Sequence, residues 1–327
     1  MRVGVIGAGA VGGALAALLD RSGHRVTVTA RASTLPIVAE EGIRLTGGWG
    51  EHRARVGVGP VLTEPQDLVL VATKAMDAPE AAAASAAACE GATVVVVQNG
   101  LEGVTRAVEL LPRSRVLGGL ALFAASLVAP GEVRITTPGA MYVGPAERSD
   151  PVIAVLNGAV PTLAVSDLRG MQWTKLIVNQ VNALPAITGK SVQEVVADAG
   201  LRRVLTRSIQ EAARVGLASG VSFGSMSGLN APLLRLVALA PARLAERLPR
   251  LMARRMGSVP NPGSTLQSIR RGQPTEIDYL NGAVVDAARA AGGTAPVNAA
   301  LTTMVHEVEG SGDFLSPGEV VRRVGGD

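Results

Sequence analysis

The chain of 327 residues is 47% apolar and 18% charged, with a net charge of +4 and only 3 Phe, 2 Trp and 2 Tyr, so its core must be aliphatic, its length leaves room for two domains, and a disordered or acidic solvating chain is excluded. The lone Cys89 excludes a disulfide scaffold and a cysteine-built zinc site and fits a reducing, cytoplasmic compartment, while His24, His52 and His306 lack metal-ligand spacing, so no metal is assigned. The arginines are spread along the chain with few aromatics to stack bases, and the longest uncharged run, 215–234, is broken by Gly, Ser and Pro, so neither nucleic acid nor a membrane is expected as a partner.

Residues 2–6 read as a short buried strand, followed by Gly7-Ala8-Gly9-Ala10-Val11-Gly12 and an apolar helix that ends at Gly23. A G-x-G-x-x-G spacing between a strand and a helix suits a dinucleotide. Gly7 permits a tight turn, Gly9 lets a pyrophosphate approach the backbone, Gly12 lets helix and sheet pack closely, and the helix N-terminus offers free N–H groups. These glycines, rather than a signal peptide, account for the uncharged start. A second strand at 25–29 runs into Ala30 and Arg31 with no carboxylate at its end. An acidic residue there would repel a 2′-phosphate, whereas a guanidinium suits one, so NADP (NADPH) is predicted and Arg31 is its candidate contact. In an arginine-rich chain the alternative is a plain surface arginine.

Further strands are expected at 67–72 and 93–97, separated by an Ala-rich helix over 79–89, which makes βαβ units and a parallel sheet. Their carboxyl ends, where open sheets bind ligands, carry Lys74 and Asn99-Gly100. Lys74 is a candidate contact to the cofactor's charged or carboxamide part and Asn99 to the nicotinamide or a substrate oxygen. A plain turn accounts equally well for Asn99-Gly100. Residues 115–145 read as sheet-edge strands and a hairpin with turns at Pro130-Gly131 and Pro138-Gly139.

Beyond about 166 the pattern becomes helical, over 167–187, 198–218, 230–250 and 275–291, with a flexible loop or hinge at 216–228. The predicted fold is therefore α/β, an N-terminal Rossmann-type dinucleotide-binding domain (1–166) with a C-terminal all-helical domain (167–327). Lysine occurs only at 74, 175 and 190, although arginine would serve any solvated role. At helical spacing Lys175, Asn179 and Asn182 share a narrow stripe on an otherwise apolar helix, as if lining a cleft. Desolvation there would lower the pKa of Lys175 towards that of a proton donor near neutral pH. Thr275 and Asp278 have the spacing of a capping box that would place Glu276 in a first helical turn, and helix logic alone gives it no further role.

Taken together, these residues resemble the ketopantoate reductase (2-dehydropantoate 2-reductase) family over nearly the whole chain. The resemblance rests on Gly7 to Gly12, Lys74, Asn99-Gly100, a K-L-x-x-N helix at Lys175 to Asn179, and the specific run Thr275-Glu276-Ile277-Asp278-Tyr279-Leu280-Asn281-Gly282. It implies NADPH-dependent reduction of ketopantoate, a small 2-oxo acid, in pantothenate biosynthesis, in a cleft between a Rossmann domain and a helical domain. It also implies Lys175 as general acid and Glu276 beside it in the catalytic set, touching substrate or cofactor hydroxyls. Asn179, Asn182, Asn261 and Ser264 become substrate contacts together with Asn99, and Ala124 a cofactor contact. The chain departs from the family where the second helix asparagine should lie four residues after the first, at Ala183, and at Val192-Gln193-Glu194, where another asparagine is usual. Both departures fall on the substrate side. A same-fold reductase of a different 2-oxo acid and an inactive NADP-binding sensor therefore stand as alternatives, and a homodimer stays open.

Overall fold

The computed structural model describes residues 1–325 as two compact units, Met1–Leu168 and a second that takes up the chain at Arg169. In the first unit, short runs rich in Val, Leu and Ile between glycine and proline turns form twelve strands: β1 (Arg2–Ile6), β2 (Arg25–Thr29), β3 (Ile43–Gly47), β4 (His52–Ala54), β5 (Gly57–Gly59), β6 (Leu68–Val71), β7 (Thr93–Val97), β8 (Arg115–Ala121), β9 (Ala124–Ala129), β10 (Glu132–Thr137), β11 (Met141–Gly144) and β12 (Thr162–Ala164). Eight of them make one sheet in the order β12-β11-β8-β7-β6-β1-β2-β5. From β8 to β5 all neighbours are parallel, and β11 turns antiparallel to β8. The six parallel strands follow the third-second-first-fourth-fifth-sixth order of dinucleotide-binding folds, and the order reverses beside β1, where such sheets accept ligands. Val3, Val5, Val69, Leu70, Val94 and Val95 are fully buried, as continuous apolar strands must be when helices cover both faces.

A second sheet, β4-β3-β10-β9, packs on the helix Ala10–Arg21. Its β9–β10 hairpin turns at Pro130-Gly131 as expected, but β8 lies inside the main sheet rather than at its edge, and β3 and β4 have no counterpart in the sequence reading. Gly118 and Gly119 explain the difference at β8. A Cβ on Gly118 would meet Leu168 Cδ2 at 2.0 Å, and one on Gly119 would meet Val95 Cγ1 at 2.8 Å, so the glycines admit large neighbours in an interior strand.

The second unit is helical, so the fold class read from the sequence holds for both units. The helix expected over 167–187 is divided into Leu168–Asn179, a 3₁₀ turn at Gln180–Asn182, and Ala183–Thr188. Pro185 has no N–H to give to the carbonyl of residue 181, which is where the regular ladder fails. The helix expected over 230–250 is likewise broken, into Ala231–Leu239, Ala242–Ala245 and Arg247–Arg255, because Pro241 drives Ala240 into an extended conformation (ψ 148°). Helix Ala199–Ala218 is continuous, and the Asp198 side chain caps it by accepting from the Leu201 N–H at 2.8 Å.

The loop expected at 216–228 is present from Ser219 on, between helices Ala199–Ala218 and Ala231–Leu239, and its interior is tied to the rest of the unit. Phe223 and Met226 are buried, Thr174 Oγ1 donates to the Gly224 carbonyl at 2.8 Å, and the Gly224 N–H donates to the Gly170 carbonyl. Among the described residues, no helix is long and apolar enough to cross a membrane.

The tightest constraint on the first unit is at Gly12, where a Cβ would lie 1.9 Å from the Gly7 carbonyl oxygen. Gly12→Ala is therefore expected to lower the unfolding free energy by about 3 kcal/mol, the upper end of the overpacking range. Gly9→Ala, with nothing within 4 Å of the new methyl, is expected to stay within about 0.5 kcal/mol of the unmodified protein. Urea denaturation of both variants checks this contrast, and equal midpoints would contradict it.

Candidate active site

The carboxyl ends of β1, β2, β6 and β7 carry the first group of candidate residues. β1 runs into Gly7 at φ 108°, a conformation open to glycine, and the Gly7 N–H donates to Thr29 Oγ1 at 3.0 Å. Gly9 is extended and its missing side chain faces open space, while the first turn of helix Ala10–Arg21 has neither a side-chain cap nor an acidic residue. Ala8, Ala10 and Val11 are half-buried around this turn. Beside it the buried Thr73 Oγ1 has no hydrogen-bond partner. A bare helix N-terminus, a glycine that leaves its surroundings open and an unspent hydroxyl are what a pyrophosphate requires, so the residues fit a dinucleotide.

Around that turn, Gln98 Nε2 donates to the Thr73 carbonyl at 3.0 Å, joining the loops after β7 and β6 and seating Lys74 and Asn99, both half-buried, at adjacent strand ends. Gly100 follows at φ 85°, so Asn99-Gly100 is also a real turn. Arg31 is exposed just past β2 and is bound to Asp77, Nη2 to Oδ2, at 2.6 Å. Ala124 opens β9 in the second sheet, exposed, its carbonyl accepting from Thr136 Oγ1.

In the second unit, Lys175 sits half-buried on helix Leu168–Asn179, next to the buried Thr174 and Leu176. Burial pulls its pKa down to about 8, and the Glu276 carboxylate partly opposes that shift by favouring the charged amine. Glu276 is half-buried at the start of helix Ile277–Ala290. The expected capping box does not form. Thr275 gives its N–H and its hydroxyl to the two oxygens of Glu309, at 2.9 and 3.1 Å, and Asp278 turns to His306 at 2.9 Å. His306 also meets Glu309 at 3.4 Å, so a closed set of bonds brackets Glu276 on both sides. Asn281, from the same run, is fully buried and donates to Asn298 Oδ1, which ties it to the core of the unit.

Asn182 departs from the simple stripe, because the 3₁₀ turn rotates it and its amide is occupied. It donates to the Asn179 carbonyl at 3.1 Å and accepts from the Ser264 N–H at 3.2 Å, above Gly263, whose φ of 72° brings the backbone close. Asn261 Oδ1 accepts from the Gly263 N–H at 2.9 Å, and its own N–H donates to Gln193 Oε1. Ser264 is exposed in the first turn of helix Gly263–Arg270. Lys175 and Glu276 are thus coupled within one unit, as are Asn179, Asn182, Asn261 and Ser264. Sequence reasoning missed Asp77, Gln98, Gln193 and Glu309, which act on their neighbours through pairings distant in sequence. Only the departure at Gln193 carried a signal: its amide donates to the carbonyls of Gly257 and Val259, securing the loop that bears Asn261.

The family profiles described as ketopantoate reductase PanE/ApbA and its C-terminal domain match residues 3–148 and 167–309. The 2-dehydropantoate 2-reductase of Halobacterium salinarum is 29% identical over 95% of this chain and all of its own length. A crystal structure of a PanE/ApbA family ketopantoate reductase from Ralstonia eutropha is 30% identical, with a TM-score of 0.80, over 95% of this chain and 99% of that one. A ternary structure of D-mandelate dehydrogenase with NADH and anilino(oxo)acetate, 20% identical with a TM-score of 0.81 over 95% of this chain and 99% of that one, shares the fold.

With lysine at three positions only, the side-chain NMR spectrum of ¹³C-lysine-labelled protein is simple enough to titrate. One resonance, lost in Lys175→Ala, is expected to titrate near pH 8, the charged form dominating below that value. Glu276→Gln removes the carboxylate that favours the charge and is expected to move this midpoint lower. A Lys175 midpoint near the ordinary 10.5, or one unmoved by Glu276→Gln, would contradict the coupling.

Proposed function

Because the chain belongs to the ketopantoate reductase family, we propose that it reduces 2-dehydropantoate (ketopantoate) to pantoate with NADPH, a step of pantothenate biosynthesis. Membership makes it an oxidoreductase. The finer reading is carried by Lys175, an amine held where its pKa falls to about 8, with Glu276 coupled to it. Bound NADPH supplies the hydride to the ketone carbon. Lys175, protonated below about pH 8, gives a proton to the ketone oxygen and stabilises the charge that develops there. Glu276 keeps that amine charged and accepts from a substrate hydroxyl. Asn179 and the Ser264 hydroxyl orient the substrate, while Asn182 and Asn261 act mainly by fixing the backbone around Ser264.

In the first unit, Gly7, Ala8, Gly9, Ala10, Val11 and Gly12 hold the pyrophosphate and Arg31 the 2′-phosphate, with Lys74, Asn99 and Ala124 as further cofactor contacts. One observation favours a second reading, a same-fold reductase of another 2-oxo acid: the Asn182 and Asn261 side chains are spent on internal bonds, and the run Val192-Gln193-Glu194 lacks the asparagine usual in the family it resembles.

Two measurements test the reading. Lys175→Ala is expected to lower turnover by roughly 10² to 10⁴ while leaving NADPH binding unchanged, the signature of a lost proton donor, and normal turnover would overturn that role. The unmodified enzyme is expected to prefer ketopantoate over 2-oxoisovalerate, which lacks the terminal hydroxyl, by roughly 10- to 10³-fold in kcat/KM. Activity confined to a bulkier 2-oxo acid would favour the second reading.

A further inference from the structure

The Arg31–Asp77 ion pair links the loops that follow β2 and β6, the two strands flanking β1 and its glycine turn. Both side chains are open to solvent, 65% and 40% exposed. Neither is buried to complete a core, and an exposed pair of this kind adds little to stability. Asp77 lies at the start of helix Ala78–Ala84 without capping it through its side chain. Its N–H is held by the Lys74 carbonyl at 3.0 Å, so the turn that carries Lys74 also delivers the carboxylate to Arg31.

We propose that Asp77 is a cofactor-specificity residue, a carboxylate that occupies the guanidinium intended for the 2′-phosphate and thereby restrains the preference for NADPH over NADH. The proposal rests on the reading of Arg31 as the 2′-phosphate contact. A phosphate approaching Arg31 either displaces the carboxylate from Nη2 or uses the remaining N–H groups with a like charge close by. Both routes weaken NADPH binding. A dinucleotide without the 2′-phosphate meets no such opposition, and the carboxylate, held at Arg31 just past β2, can accept from its ribose hydroxyl, the part played in NAD sites by an acidic residue at the end of the second strand. The chain therefore carries elements of both selectivities, a basic group on the β2 side and an acidic one on the β6 side.

The test is the equilibrium dissociation constant of each dinucleotide, read by nicotinamide fluorescence or calorimetry without turnover, for the unmodified protein, Asp77→Asn and Asp77→Ser. Both variants are expected to raise the ratio Kd(NADH)/Kd(NADPH) by about 3- to 10-fold at low ionic strength. The gain should shrink as added salt screens the charges. An unchanged or lowered ratio in both variants would overturn the proposal and leave the NADPH reading standing. Preference for NADH by the unmodified protein, with the ratio still rising on Asp77→Asn, would overturn the NADPH reading and leave the role of Asp77 intact. Binding of neither dinucleotide would overturn both.

Discussion

A lysine amine drawn out of water, with one carboxylate to offset the cost, is the constraint around which the second unit is arranged. The rest of the Lys175 helix is anchored by buried neighbours: Trp173 is fully buried against Gly216, and Thr174 returns its hydroxyl to two carbonyls. The charge on Glu276 is useful to that amine only if its position is fixed, and four neighbours fix it. Thr275 is clamped by Glu309, Glu309 meets His306, and His306 holds Asp278 on the far side of Glu276. Burial alone would lower the pKa of His306, but the Asp278 and Glu309 carboxylates outweigh it and raise it. The contribution of protonated His306 to stability is therefore complete below its ordinary pKa of 6.5 and is lost as pH rises through the raised folded value. The bracket around Glu276 is firmest on the acid side, where Lys175 is also charged.

The first unit is governed by close backbone approach rather than by charge. Gly12 lets the helix touch the Gly7 carbonyl, and that contact aims an uncapped N-terminus at the end of β1. Arg31 and Lys74 lie just past the ends of β2 and β6, the two strands that flank β1. The Arg31–Asp77 pair follows from that topology, since the two residues are far apart in the chain and adjacent only because both strands flank β1.

Much of this was legible in the sequence. The strand–glycine–helix opening, the parallel strands and the change to helical periodicity specify local geometry that period and turn chemistry report directly. Lys175 stood out because the chain otherwise uses arginine. What stayed hidden depends on contacts distant in sequence. Thr275 and Asp278 have capping-box spacing, yet each finds a partner on the helix Pro296–Ser311, and those bonds replace the cap. Asn182 lies at helical spacing from Lys175, yet Pro185 breaks the ladder and turns its amide to the Gly263–Ser264 backbone. The run from Thr275 to Gly282 carried the resemblance that singled out Glu276, and the structure adds that Thr275, Ile277, Leu280 and Asn281 around it are buried in the fold.

Hydride delivery to the carbonyl carbon of ketopantoate, with Lys175 protonating its oxygen, can be followed by isotope transfer. The enzyme is incubated with ketopantoate and NADPH stereospecifically deuterated at the nicotinamide C4, once on each face, and the product is analysed by mass spectrometry. Pantoate carrying one deuterium at C2 is expected from one of the two labelled cofactors and none from the other. Labelled product is expected to form far more slowly with Lys175→Ala. Absence of pantoate, or pantoate without deuterium from either cofactor, would contradict that hydride delivery.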